Sequence, residues 1–279
     1  MKIVDTTSFY NEYDILELRL ATMYDHVDQF VILECDRTHT GRYKGFNLEK
    51  QKDRYAKWWD KINYIKLEDG CKSTDAWENE HWQRNQMPLG WQGLGPDDVI
   101  MVSDCDEIVR PEAIEFIKNT NYACYRLMMP VFYFKFNYMD TKPDWHYKDW
   151  GRAFRGWQSN GLDMRFRNEI PGRESICLHH AGWHFSWLGD EEFAKTKIKS
   201  FCHTEVDKPH IVENLDIEKF IQQGTDHFRP ENVTWHGVKL DNYFPKYVLE
   251  NKEKYANFIL PDTDKTVQDY WPYGILQPA

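Results

Sequence analysis

With 279 residues, 41% of them apolar and 16% aromatic, the chain can bury a sizeable core, which excludes a disordered polymer. Its net charge of −10, from 35 basic and 45 acidic residues, argues against nucleic acid as a partner. Cys35, Cys71, Cys105, Cys124, Cys177 and Cys202 stand singly with no C-x-x-C, as in a reduced intracellular protein rather than a disulfide frame or a zinc site.

The first residues, Met1 to Asp5, lack the apolar region of a signal peptide, and no apolar run approaches the ~18 residues of a membrane span. The expectation is a soluble, cytoplasmic chain with no transmembrane segment. Lys2–Asp5 reads as a strand ended by Thr6, Thr7 and Ser8, and Glu12–Tyr24 as a helix with Ile15, Leu18 and Met23 on its apolar face. Phe30–Leu33 is a second buried strand closed by Glu34, Leu48–Trp59 an amphipathic helix, Ile62–Leu67 a third strand, and Asp75–Met87 a helix rich in charge and Trp. Such alternation predicts parallel strands with right-handed crossovers, flanked by helices.

The loop Gly90–Pro96 leads into the most informative stretch, Pro96-Asp-Asp-Val-Ile-Met-Val-Ser-Asp-Cys-Asp-Glu-Ile108. Val99–Ser103 is a short strand covered on both faces, and it runs into an acidic tip. In an extended backbone Asp104 and Asp106 point the same way while Cys105 turns inward. Carboxylates about 4–6 Å apart repel by several kcal/mol at an effective dielectric near 20, so a cation belongs between them. Open oxygen ligands suit Mg²⁺ or Mn²⁺. The alternative is a solvated acidic turn that caps the helix Pro111 begins. Parallel sheets bind ligands at the carboxyl ends of their strands, where Thr6–Asn11, Glu34 and Asp104–Asp106 all fall. With no G-x-G-x-x-G and no G-x-x-x-x-G-K-[ST], neither a Rossmann site nor a P-loop explains this edge.

Beyond Asn119, Tyr122–Tyr138 reads as a long aromatic strand interrupted at Pro130 and followed by the polar Asp140–Asp149 loop. Lys148, Arg152, Arg155, Arg165, Arg167 and Arg173 gather near Asp149, Asp163 and Glu169, either to face a phosphate or as an ordinary solvated loop. The stretch from His179 to Glu192 reads as a strand and then a glycine break, and Phe193–Phe201 as a helix that opens on Asp190, Glu191 and Glu192. Acids in a first turn can serve only the helix dipole. In the less regular remainder Pro245–Ala256 is a helix.

Five blocks in order resemble glycosyltransferase family 17, the β-1,4-mannosyl-glycoprotein β-1,4-N-acetylglucosaminyltransferase family. They are Asn11–Leu20, Phe30–Gly41, Pro96–Ile108, Ala181–Trp187 with Glu192 after it, and Phe244–Asn251. Two departures are the lack of the Golgi anchor of the animal enzymes and Val109 in place of the proline that usually follows D-E-I. The resemblance implies a GT-A-like nucleotide-sugar-binding fold with a mostly parallel central sheet. Its nucleotide half would span about residues 1–120 and its acceptor half 121–205, with 206–279 packed on the same domain. It also implies an inverting, Mn²⁺- or Mg²⁺-dependent transfer of N-acetylglucosamine from UDP-GlcNAc to a glycan hydroxyl. Asp104, Asp106 and His184 would hold the metal, Asp104 sharing the donor with Phe9, Asn11, Glu34 and Arg84. Glu192, or Glu191 or Asp190 in its place, would be the base, with Asp163, Glu169 and Glu205 the next carboxylates to consider.

Rival readings come from other classes. A D-x-D phosphatase or phosphotransferase expects the triplet on its first strand. A glycosidase needs carboxylates about 5–9.5 Å apart across a sugar. A carbohydrate-binding protein without turnover accounts for the aromatics but not for the acids.

Overall fold

The computed structural model describes residues 1–142, 149–228, 231–261 and 263–276, so Lys148 of the basic cluster and most of the Asp140–Asp149 loop lie outside the described residues. The apolar runs form strands β1 (Ile3–Ser8), β2 (Gln29–Cys35), β3 (Ile62–Leu67) and β4 (Val99–Val102), mutually parallel in the order β4-β1-β2-β3. Side chains alternate between two buried layers. Ile3, Phe30, Ile32, Val99 and Met101 face helices α1 (Tyr13–Met23) and α4 (Pro111–Asn119). Val4, Val31, Leu33, Ile100 and Val102 face Met87, Trp91 and Met164 on the other side. Burial on both faces is why β2 and β4 read as continuous apolar runs, whereas the edge strand β3 is only half-buried.

The sheet is mixed rather than purely parallel: four of its six strand pairings are parallel and two antiparallel. β9 (Asp149–Arg155) lies antiparallel between β4 and β6 (Cys124–Met128), and β10 (Ser175–Leu178) closes the seven-stranded sheet. A second, five-stranded sheet runs β12-β8-β7-β11-β5, from Trp235–Gly237, Tyr138–Asp140, Val131–Tyr133, Gly182–Ser186 and Glu107–Val109. The long aromatic strand is therefore three strands. Pro130 cannot donate to a ladder, and the chain changes sheets there, while Phe134 at φ 62° turns it from β7 into β8 of the same sheet. Glu107–Val109 pairs with β11, so the D-x-D turn is the junction between the two sheets.

Helices shorten in the same way. Leu48–Trp59 becomes α2 (Asn47–Lys50) followed by a 3₁₀ stretch, Lys52–Lys61. α3 spans Ala76–Asn85, α5 Gly161–Phe166 and α6 Glu191–Ile198. In the C-terminal part, α7 (Pro209–Val212), α8 (Ile217–Gln223), α9 (Lys246–Glu250) and α10 (Val267–Tyr270) are short. This part packs on the first half. Glu17 of α1 accepts from Tyr247 Oη (2.7 Å) and Arg54 Nε (2.8 Å) and pairs with Lys254. No helix among the described residues is long and apolar enough to cross a membrane.

The C-terminal segment closes on His180, whose Nε2 lies 3.2 Å from the Trp271 carbonyl and Nδ1 2.7 Å from Tyr243 Oη. A carbonyl only accepts, so Nε2 carries the proton and the neutral ring accepts from Tyr243 at Nδ1. Burial, reinforced by Arg110 and His179, lowers the His180 pKa to about 3. An unfolded histidine titrates near 6.5, so the unfolded chain binds the extra proton between those values, and stability falls as pH drops through that window. Unfolding midpoints measured from about pH 4 to 7 should therefore slope less steeply in His180→Gln, by about one proton. Identical slopes would mean that His180 is not buried neutral.

Candidate active site

The site is assembled around Arg19, a fully buried guanidinium on the inner face of α1. Its Nε donates to Asp5 Oδ2 (2.7 Å), and Nη2 donates to Asp5 Oδ1 (2.5 Å) and Ser103 Oγ (2.7 Å). Nη1 donates to the carbonyls of Asp104 (2.8 Å) and Glu107 (2.9 Å). One side chain thus ties β1 and the end of β4 to the backbone of the acidic turn. Arg can do this because its donors form a rigid planar fork.

The turn is not extended, as the sequence reading supposed. Glu107 N donates to the Asp104 carbonyl (3.0 Å), and Asp104 N donates to Glu107 Oε2 (2.8 Å). Phe185 N donates to the Asp106 carbonyl (2.8 Å), which sets His184 of β11 beside Asp106. Each carboxylate has its own cations. Asp104 Oδ1 meets Arg84 Nη2 at 2.7 Å and Oδ2 meets Arg165 Nη2 at 3.5 Å. Asp106 Oδ2 lies 3.3 Å from Lys197 Nζ, and Oδ1 3.6 Å from His184 Nε2. Glu107, with no exposure, meets Arg165 Nη2 at 2.6 Å. The Asp104 side chain is 37% exposed against 11% for Asp106, so Asp104 is the carboxylate that faces outward.

Close approach of two helices makes the arginines converge. A Cβ on Gly161 would lie 2.0 Å from the Arg84 carbonyl oxygen, so only glycine lets the start of α5 abut the end of α3. Arg84 is further held by Glu80, one helical turn earlier. Lys197 comes from α6, whose N-terminus is capped by Asp190 accepting from Phe193 N (2.8 Å).

These charges tune one another. Burial works against ionisation of Asp104 and Asp106. For Asp104 the neighbouring Arg84 and Arg165 outweigh burial, and for Asp106 Lys197 and His184 do so, so both carboxyls sit well below the ordinary carboxylate range. Glu107 goes the other way: burial raises its pKa despite Arg165, helped by the charge on Asp104. Burial alone would lower His184 and Lys197, but Asp106 dominates and both are raised.

Among the described residues no group of three or more His, Cys, Asp and Glu side chains could by itself hold a metal ion. A hard cation at a nucleotide site needs less, because it takes one or two carboxylates and completes its shell with substrate phosphates and water. Asp104 and Asp106 offer that one or two carboxylates, with His184 beside Asp106. The 3.6 Å gap between His184 Nε2 and Asp106 Oδ1 is too long for a hydrogen bond, and buried His184 Nδ1 has no partner among the described residues. Ligation there would release the His184 proton.

Of the other candidates, Asn11 stands at the end of β1 with Oδ1 buried and unpartnered. Ser8 Oγ, His39 Nδ1 and Arg84 Nη1 are also buried without a hydrogen-bond partner. Phe9 is a core residue, edge-on to Tyr13 at 5.8 Å. The Glu34 carboxylate is engaged within the fold, accepting from Lys44 Nζ (2.5 Å), Asn47 N (2.6 Å), Leu48 N (3.0 Å) and Tyr64 Oη (2.7 Å). Glu192 has an 81% exposed side chain and pairs with Lys195 at 3.0 Å, while Glu191 Oε1 accepts from Ile217 N at 3.4 Å.

Sequence reasoning missed Asp5, Arg19, Glu107 and Lys197. A charged residue between Leu18 and Leu20 on a helix face that is otherwise core was the available signal for Arg19. In the basic cluster, Arg165 reaches the acids of the turn. Arg152 donates to the Arg167 carbonyl (3.1 Å) and Asn168 Oδ1 (2.7 Å), and Arg155 to the carbonyls of Ile117 (2.6 Å) and Thr120 (2.9 Å). Arg167 pairs with Asp163 at 2.8 Å, and Arg173 is exposed.

The glycosyltransferase family 17 model matches residues 1–265. No curated protein matches the chain.

Removing one partner of a buried ion pair costs about 3–5 kcal/mol. Arg19→Met should lose that much in denaturant unfolding, and adding Asp5→Leu should recover part of it. A single mutant as stable as wild type would show that the clamp does not hold the turn.

Proposed function

Because the chain belongs to glycosyltransferase family 17, we propose that it moves N-acetylglucosamine from UDP-GlcNAc to a sugar hydroxyl of a glycan acceptor, inverting the anomeric centre with Mn²⁺ or Mg²⁺. The observation that carries this reading is the convergence of Arg84, Arg165 and Lys197 on Asp104 and Asp106. It stands at the carboxyl edge of the parallel strands β1, β2 and β4, where an α/β sheet binds its ligands. A GT-A-type arrangement follows, with the nucleotide on the first ~120 residues, the acceptor on about 121–205, and the remainder packed on the same domain.

An inverting transfer is one displacement. It needs a base on the acceptor hydroxyl and stabilisation of the departing diphosphate. A divalent cation held by Asp104, Asp106 and His184 would supply neutralisation of charge on that diphosphate. Arg84 presents the buried, unpartnered Nη1 to the same region, so its fork can hold a phosphate oxygen without leaving Asp104. Asn11 Oδ1 and His39 Nδ1 offer an acceptor and a ring nitrogen to the nucleoside. Leaving such buried atoms unpaired costs about 1–3 kcal/mol each, which a polar ligand offsets. Glu192 and Glu191 stand on the first turn of α6, the helix whose Lys197 reaches Asp106, and are the carboxylates assigned to take the acceptor proton. An exposed carboxylate becomes effective by position once the acceptor excludes water.

Asp106→Ala should abolish metal-dependent UDP binding and leave the chain folded, as read by calorimetry with and without Mn²⁺ beside circular dichroism. Equal UDP affinity in mutant and wild type removes the metal assignment, and faster turnover of a GDP sugar than of UDP-GlcNAc rejects the donor.

For the base, Glu192→Gln should slow transfer by about 10²–10⁴-fold with UDP affinity within a few-fold. An active Glu192→Gln beside a dead Glu191→Gln moves the role to Glu191, and activity in both places the base elsewhere.

A further inference from the structure

Beside the acidic turn, α5 and the residues flanking it border an open cleft of about 550 Å³, lined among others by Asn160, Asp163, Phe166, Arg167, Asn168 and Glu169. That volume lies within the range of small-ligand sites. A lone exposed ring is ordinary on a protein surface. Phe166 differs in three respects. It is 61% exposed, it borders this cleft, and its ring centroid lies 5.7 Å from the guanidinium carbon of Arg165, the residue that pairs with Glu107 and Asp104. The cleft is therefore one side chain away from the outward-facing carboxylate.

The polar lining decides what the cleft can hold. Arg167 is committed to Asp163 at 2.8 Å and lies over the Trp157 ring at 4.9 Å, so it is not a free cation for a phosphate. Asn168 Oδ1 accepts from Arg152 Nη2 (2.7 Å), and Asn160 Oδ1 accepts from Asp163 N (2.8 Å). Both amides are fixed by their oxygens, which leaves their nitrogens as the donors they can offer. The Asp163 and Glu169 carboxylates are acceptors. An aromatic face rimmed by amide donors and carboxylate acceptors suits a neutral ligand with an apolar ring face and hydroxyl edges, and the carboxylates disfavour an anion.

We propose that this cleft is the acceptor subsite, in which a neutral hexopyranose residue of the glycan stacks on Phe166 and hydrogen-bonds to Asn160, Asn168 and Glu169. The assignment rests on the transferase reading and adds to it where the acceptor sits and what class of sugar it is. Phe166 here is a binding residue that sets the acceptor beside Asp104 through Arg165. Its exposure means that truncation removes little packing, so the variant should fold.

The test uses the full chain, saturated with UDP and Mn²⁺, on an array of neutral oligosaccharides of mannose, glucose, galactose and N-acetylglucosamine. UDP affinity is measured in parallel by calorimetry. Wild type should bind at least one glycan, Phe166→Ala should bind it about three- to tenfold more weakly, and Phe166→Trp should retain binding, since an aromatic contact is worth about that much. UDP affinity should stay within about twofold in all three, because phosphate contacts come from other side chains. Equal glycan affinity in wild type and Phe166→Ala overturns the subsite, as does a wild type that binds UDP but no glycan. Failure of wild type to bind UDP instead refutes the transferase reading. Phe166-dependent glycan capture without UDP would then still uphold the cleft as a sugar site, and its absence would overturn it.

Discussion

The geometry at the junction of the two sheets depends on one buried ion pair. Asp5 and Arg19 meet through two hydrogen bonds with neither side chain exposed to any extent that water could exploit. Desolvating both charges is costly, and a buried pair gives stability only when its remaining donors are satisfied. Here they are, by Ser103 Oγ and the carbonyls of the acidic turn. The spare hydrogen-bonding capacity of a core arginine thus shapes the Asp104–Glu107 loop, and a lysine, with one compact ammonium, could not span the same set.

That rigidity matters because the turn carries like charges. Asp104, Asp106 and Glu107 repel one another, and Arg84, Arg165, Lys197 and His184 compensate from four separate elements. The result is a site in which Asp104 and Asp106 stay ionised although largely enclosed. Each cation comes from a different part of the chain: α3, α5, α6 and β11. A shift of any of these elements changes the local charge, so the electrostatics of the site are a property of the whole packing. The proposed diphosphate and divalent ion would add charges of opposite sign, and so would enter together without unbalancing the cluster.

Parts of this were legible from residue order alone. The strands Ile3–Ser8, Gln29–Cys35 and Val99–Val102 announced themselves because both of their faces are buried, and the half-buried edge strand Ile62–Leu67 by its apolar and aromatic residues between turn residues, a local signal. The aromatic stretch Tyr122–Tyr138 was harder. Its residues are buried in two different sheets, and hydrophobicity does not record a change of partner at Pro130. Glu34 looked like a ligand-edge acid because it ends an apolar strand. In the fold it caps the start of α2 and accepts from Lys44 and Tyr64.

What the sequence by itself determined was the position of the acidic turn, the parallel strands that lead to it and the family blocks in their order, since each is written in contiguous residues. What only the tertiary structure decided was which distant side chains answer those acids. Arg19 is 85 residues from Asp104, and Lys197 is 91 residues from Asp106. No local periodicity encodes pairings over such separations. They arise when helices dock, when Gly161 lets α5 approach α3, and when burial makes an unpaired charge too costly to leave alone.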